Sequence, residues 1–216
     1  MESIMKERFV VNLCLMEVYQ VFNIPLDMLR PLIVETKPFK TGQQAPESIQ
    51  GQPMATWLPK HRVSFLIYVD RDGNTLIFLD DKLYLAHPDL MLCKAVPANS
   101  CFLAHYTEDQ VTLEASVPKI LVFDCPLLDS KSLMQTSPYD RYKLLLANCN
   151  MKHCNPIYSL QWVGFESSVV EKYEELKISL PHEVDHIIRI NQDPFTPSKL
   201  LKISVPQWKP QPKTCP

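Results

Sequence analysis

Glycine is scarce. The chain has four in 216 residues, Gly42, Gly51, Gly73 and Gly164, too far apart for a GxGxxG turn or a GxxxxGK[ST] loop. Rossmann-type dinucleotide binding by that fingerprint and P-loop chemistry are therefore excluded. There is no HExxH, GxSxG or CxxC either, which leaves the usual zinc-peptidase, serine-hydrolase and paired-cysteine routes without a motif. No stretch approaches the roughly eighteen apolar residues of a membrane helix. Glu2, Lys6, Glu7 and Arg8 stand where a secretory segment needs an apolar run. The formal net charge of -2 supplies no overall basic field for nucleic acid, so any such contact must be local.

The seven cysteines are an odd set scattered from Cys14 to Cys215. Without a secretory segment they read as reduced thiols, and the expected location is the cytoplasm, the nucleus or both. Cys149, His153 and Cys154 are metal-type ligands with no CxxC pair or fourth partner, so thiols beside a helix end are expected there rather than zinc. His182 and His186 are four apart in a strand-like pattern, which separates them by about 13 Å, too far for one metal ion. With 46% hydrophobic and 21% charged residues, the chain has the composition of one substantial globular domain or two small ones.

Residues 3 to 22 read as a helix whose apolar stripe is Val11, Leu15, Val18 and Phe22, ended by Pro25. This N-terminal segment, 1–34, is expected to dock on its own domain or on a protein partner. Residues 35–52, rich in Pro, Gln, Ser and Thr, read as a linker or mobile loop. Then the pattern turns to strands. Val63 to Val69, Thr75 to Leu79 and Lys82 to Leu85, separated by Asp70-Arg71-Asp72-Gly73-Asn74 and by Asp80-Asp81, form an antiparallel meander. Lys119 to Phe123, Tyr158 to Val163, Val184 to Ile190 and Leu200 to Val205 are further strands. Ser137-Pro138-Tyr139-Asp140 opens a helix running to about Asn148, with a hydroxyl cap and proline at the first helical position. Ser168 with Glu171 opens another, through Leu176. The expected class is α+β, mostly antiparallel sheets with flanking helices.

Leu180-Pro181-His182-Glu183-Val184-Asp185-His186-Ile187-Ile188, then Asp193-Pro194-Phe195-Thr196-Pro197 and Leu200-Leu201-Lys202, carry more information. This stretch resembles the late motifs of the nucleotidyltransferase superfamily of mRNA capping enzymes and ATP-dependent ligases. It is closer still to the cap-binding domains of the snurportin type, which share that fold without the chemistry. Upstream, Pro53-Met54-Ala55-Thr56-Trp57-Leu58 is similar to the opening of that domain. Ile120-Leu121-Val122-Phe123-Asp124 is similar to motif IIIa, and Tyr139 to Leu145 to the arginine-bearing helix after it. The resemblance covers about residues 50 to 210; the domain is taken as 53–210, with 211–216 as a tail.

The resemblance implies a nucleotide- or cap-binding set of Met54, Trp57, Lys60, Arg62, Asp185, Lys199, Lys202 and Trp208, with a guanine base stacked on an aromatic side chain. Trp57 and Trp208 are the stacking candidates, Trp162 reads as core, and Lys202 is the better placed of the two late lysines. Active members carry K-x-D-G, whose unprotonated lysine attacks a nucleotide α-phosphate; this chain has none. Trp57-Leu58-Pro59-Lys60-His61-Arg62 stands in its place. Two departures are His186 where the family has glycine and Ile203 where snurportin has its stacking tryptophan. The expectation is therefore a pocket that binds a nucleotide or RNA cap without reacting, with no cofactor and no membrane contact. A second reading is an active guanylyl- or nucleotidyltransferase using Lys60. Glu108, Asp124, Asp185 and Lys202 would assemble its site, with magnesium on Glu108 and Asp185. A third is an interaction protein that keeps only the fold.

Overall fold

Runs of Val, Ile, Leu, Phe and Tyr broken by Asp, Asn and Pro favour short extended segments, since branched and aromatic side chains suit a pleated surface. A computed structural model describes residues 9–13, 54–79, 82–86, 90–92, 95–112, 115–151, 157–161, 163–165, 168, 180–190 and 199–201. The strands are β1 (Phe9–Leu13), β2 (Met54–Pro59), β3 (Val63–Val69), β4 (Thr75–Leu79), β5 (Lys82–Ala86), β6 (Ser100–Gln110), β7 (Ser116–Leu128) and β8 (Lys131–Ser132). After the helix α1 (Pro138–Asn148) come β9 (Tyr158–Leu160), β10 (Gly164–Phe165), β11 (Val184–Ile190) and β12 (Lys199–Leu201).

Two sheets result. The larger is ordered β1-β5-β4-β3-β6-β7-β8, with β9 parallel to β7; the smaller is ordered β10-β2-β11-β12 and is antiparallel throughout. The meander read from the sequence is β3, β4 and β5. Its first turn is closed by the Gly73 amide donating to the Asp70 carbonyl at 3.2 Å and by the Asp70 carboxylate accepting from the Asp72 and Asn74 amides at 2.9 and 2.8 Å. Gly73 has φ +83°, a conformation that side chains disfavour.

Phe65, Ile67 and Val69 of β3 share one face with Ile77, Leu79, Phe102, Ala104, Ile120 and Val122, and with Tyr142, Leu145 and Met54 they form the main core. Leu66, Leu103 and Leu121, on the opposite face, are buried as well, at 5% exposure or less. Cover on both faces explains why these strands read as hydrophobic runs rather than strict alternation.

The helix is set by a buried ion pair. Ser137 caps its first turn, accepting from the Asp140 amide at 3.2 Å. Arg141, 0% exposed, donates through Nε and Nη2 to the two Asp124 oxygens at 2.8 and 2.7 Å and through Nη1 to the Thr136 carbonyl at 2.9 Å. Asp124 also accepts from the Cys125 amide at 2.7 Å, so both charges are satisfied on several sides.

Several expectations change. The helix expected over 3–22 is contradicted at Phe9–Leu13, which is a strand paired antiparallel with β5 from Phe9↔Ala86 to Leu13↔Leu83. Phe9, Val10 and Val11 suit a strand, and the edge of β5 supplies backbone partners that a lone helical pattern could not reveal. Tyr106 to Asp109 lies inside the eleven-residue β6, and the short strand at Lys119–Phe123 extends to Ser116–Leu128 because it pairs along nearly all of β6. The strand expected over Tyr158–Val163 stops at Leu160, and β12 begins one residue before the expected Leu200. Ser168 is helical; the rest of the helix expected there, the 35–52 linker, residues 202–205 and the 211–216 tail lie outside the described residues. Among those residues α1 is the one helical element of more than a turn.

Replacing Arg141 by Met leaves the Asp124 carboxylate buried without its cation. We expect urea unfolding to report a loss of about 3–5 kcal/mol, partly recovered when Asp124→Leu is added. A loss below about 1 kcal/mol would mean that the pair does not set the helix.

Candidate functional site

The two sheets meet where β2 ends at Pro59 and β3 begins at Val63, so Lys60, His61 and Arg62 form the crossing. Residues 181–183 run alongside and lead into β11. The Lys60 amide donates to the Glu183 carbonyl at 2.9 Å, and the Gln110 amide to the Pro181 carbonyl at 2.6 Å. In the β2–β11 ladder Val184 faces Pro59 and His186 faces Leu58, with an irregularity between them at Asp185. Such a bulge re-aims the side chain it carries.

Two ion pairs occupy the crossing. Lys60 Nζ meets Glu183 Oε1 at 2.6 Å, both side chains partly exposed at 46% and 33%. Arg62 Nη1 meets Asp185 Oδ2 at 3.4 Å and donates to the Pro59 carbonyl at 3.0 Å; its side chain is 9% exposed against 34% for Asp185. Behind Arg62, the His105 ring lies 4.4 Å from that of Phe123 in a near-parallel stack and has Ser64 Oγ 2.9 Å from Nδ1. Burial, then the Arg62 charge, pushes His105 down to about 3, so this ring is neutral at ordinary pH.

A second chain of hydrogen bonds links the sheets through His182. Trp57 Nε1 donates to His182 Nε2 at 3.2 Å, which assigns the ring proton to Nδ1, and Nδ1 donates to Asp109 Oδ1 at 2.9 Å. Gln161 Nε2 donates to Thr56 Oγ1 at 2.8 Å and to the Trp57 carbonyl, while its Oε1 is buried without a hydrogen-bond partner among the described residues.

The sequence-derived residues thus fall into groups. Lys60, Arg62 and Asp185 come together at the crossing. Trp57 is beside them but 5% exposed, and Met54 is 1% exposed in the main core. Packed this way, neither presents a face to a base. Glu108 accepts from Tyr106 Oη at 3.3 Å and from Ser116 Oγ at 2.9 Å; burial, with Glu108 beside it, pushes the Tyr106 phenol up to about 12. Asp124, part of the alternative catalytic set, is engaged by Arg141. Among the described residues no group of three or more His, Cys, Asp or Glu is placed to hold a metal ion. With Glu108 engaged by two hydroxyls and Asp185 facing Arg62, this donor set does not fit magnesium. The Lys199 backbone pairs with Arg189 of β11; Lys202, Trp208, Trp162, His153 and Cys154 lie outside the described residues. Cys149 is a buried free thiol that burial pushes up to about 12, which makes it a poor ligand or nucleophile.

Sequence reasoning missed Glu183, Asp109, His105, Phe123 and the bridging role of His182. Glu183 and His182 were legible as polar residues before a hydrophobic strand. The others meet only through strand register: Ser64 faces His105 across the β3–β6 ladder.

No family model matches the chain, and no curated protein does. Among solved structures it is similar to the ligase domain of LigD from M. tuberculosis, at 12% identity and TM-score 0.46, over 69% of this chain and 53% of that one. A mycobacterial DNA ligase D complexed with ATP and MES is similar at 13% identity and TM-score 0.46, over 69% and 50%. The chain therefore covers about half the length of each.

The depressed His105 sets a pH dependence. Above 6.5, the ordinary histidine value, folded and unfolded chains both carry it neutral and stability is undiminished by it. Between 6.5 and about 3 the unfolded chain binds a proton that the folded chain refuses. Stability should therefore fall as pH drops through that window, by roughly 1 kcal/mol per pH unit from this residue. Urea unfolding at pH 7, 6 and 5 should give a shallower decline for His105→Gln than for the parent; equal slopes would refute the assignment.

Proposed function

We propose that this chain is a nucleotide- or RNA-cap-binding domain of the nucleotidyltransferase fold shared by capping enzymes and ATP-dependent ligases, and that it binds without transferring a nucleotidyl group. The observation that carries the reading is the state of the two cations at the crossing. Lys60, at the place of the family's attacking lysine, is exposed and paired to Glu183 at 2.6 Å, with no Asp-Gly turn after it. An attacking amine must be desolvated and unprotonated, whereas an ion-paired surface lysine is suited to hold a phosphate as a point charge. Arg62 supplies a guanidinium two residues on.

The base takes an aromatic surface. Phe123, partly buried and stacked on the neutral His105, is the candidate among the described residues; Trp208 is the candidate from the sequence. A methylated guanosine carries delocalised positive charge, which favours such a ring face. The ligand class places the domain in the cytoplasm, the nucleus or both, where capped RNA and nucleotides are found. A protein partner through the N-terminal segment belongs to the same proposal.

Incubation with magnesium and labelled GTP or ATP should yield no covalent adduct, while titration with GTP, ATP and methylated cap analogues should reveal binding. Lys60→Ala with Arg62→Ala should weaken that binding at least about tenfold, since charge-assisted contacts are the strong ones. A labelled adduct lost in Lys60→Ala would make the chain an enzyme. Absence of binding to every nucleotide and cap analogue would refute the proposal.

A further inference from the structure

Building on that reading, on which it rests, we infer that Glu183 and Asp185 are internal competitors for the anion taken by Lys60 and Arg62. The ligand enters by exchanging two phosphoryl groups for these two carboxylates, with no divalent cation. The pairing geometry carries this. Both carboxylates come from one segment and face the two cations of the crossing, so each cation already has an anion beside it before any ligand arrives. A ligand with two adjacent phosphoryl groups can replace them one for one.

The Arg62–Asp185 pair is built to exchange. Its 3.4 Å separation is long beside the roughly 2.7–2.9 Å of a charge-assisted bond. Asp185 is 34% exposed, so its carboxylate is open to water, whereas Arg62 is 9% exposed and stays anchored by the Pro59 carbonyl at 3.0 Å. The irregularity in the β2–β11 ladder at Asp185 leaves that point less tied to β2 than its neighbours. Lys60 and Glu183, both partly exposed, form the kind of surface pair that contributes little and yields readily. The guanidinium fork can donate to two phosphoryl oxygens as well as to a carboxylate. Because Asp185 faces Arg62, a metal-bridging role for it would require this pair to break first.

The inference has a sign opposite to that of a metal-ligand aspartate: removing the carboxylate should strengthen anion binding. Calorimetry on the full chain uses inorganic pyrophosphate, GTP and a methylated cap analogue as probes, each with EDTA and with magnesium. Asp185→Asn and, independently, Glu183→Gln should each tighten pyrophosphate about three- to tenfold, with EDTA making no difference. Arg62→Gln should abolish both binding and the gain from Asp185→Asn. Circular dichroism checks that each variant folds, and Asp185→Ser gives a second substitution at the same place. Weakened or unchanged pyrophosphate binding in both carboxylate variants, or binding seen only with magnesium, would overturn the exchange. GTP or cap binding that weakens in Asp185→Asn refutes the exchange and keeps the nucleotide reading. Tightened pyrophosphate with no GTP or cap binding does the reverse.

Discussion

The segment from Pro181 to Asp185 makes hydrogen bonds in two directions, and the junction of the sheets depends on it. Toward the larger sheet, the Pro181 carbonyl takes the Gln110 amide and His182 donates to Asp109. Toward the smaller sheet and the crossing, His182 accepts from Trp57 and the Glu183 carbonyl takes the Lys60 amide. A buried imidazole with one donor and one acceptor nitrogen is well suited to this, because each nitrogen finds the partner it needs and none is orphaned. The same segment then delivers Glu183 and Asp185 to the two cations. Structural stitching and candidate chemistry therefore share five residues.

Two kinds of ion pair among the described residues do different work. Asp124 and Arg141 are withdrawn from water and held by two further hydrogen-bonding groups, the Cys125 amide and the Thr136 carbonyl, so losing either partner strands a buried charge. That pair positions a helix. At the crossing Lys60 and Glu183 are both partly exposed, and Asp185 is one-third exposed beside a nearly buried Arg62; a pair open to water contributes little to stability. The exchange proposed for the crossing needs the second kind at the site and the first kind away from it. Trp57 illustrates the same division: its indole, a stacking candidate in the sequence, is instead fixed by its N–H and by packing, at 5% exposure.

Much of the fold was legible because period and punctuation agree. Val63–Val69, Thr75–Leu79 and Val184–Ile190 match the strands read from the sequence residue for residue, and Ser137-Pro138 marks the start of α1. The misses have one cause. The second half of β6, His105-Tyr106-Thr107-Glu108-Asp109-Gln110, is polar enough to read as a turn, yet β3 and β7 on either side satisfy its backbone. Phe9–Leu13 likewise becomes a strand because β5 is there to pair with it. Strand preference depends on neighbours that a linear pattern does not contain. At the site, Lys60, Arg62 and Asp185 were legible as a set; that Glu183 pairs with Lys60 and that His105 stacks on Phe123 was not.

By itself, the order of residues determined the local matters: where chains turn, which stretches are extended, where the helix starts, and that no K-x-D-G lysine exists. Those depend on backbone preferences and on chemistry present or missing within a few positions. Only the tertiary structure decided which charges meet, which aromatic rings are buried and which way His182 carries its proton. Those outcomes depend on register between strands far apart in the chain, where a shift of one residue turns every side chain to the other face.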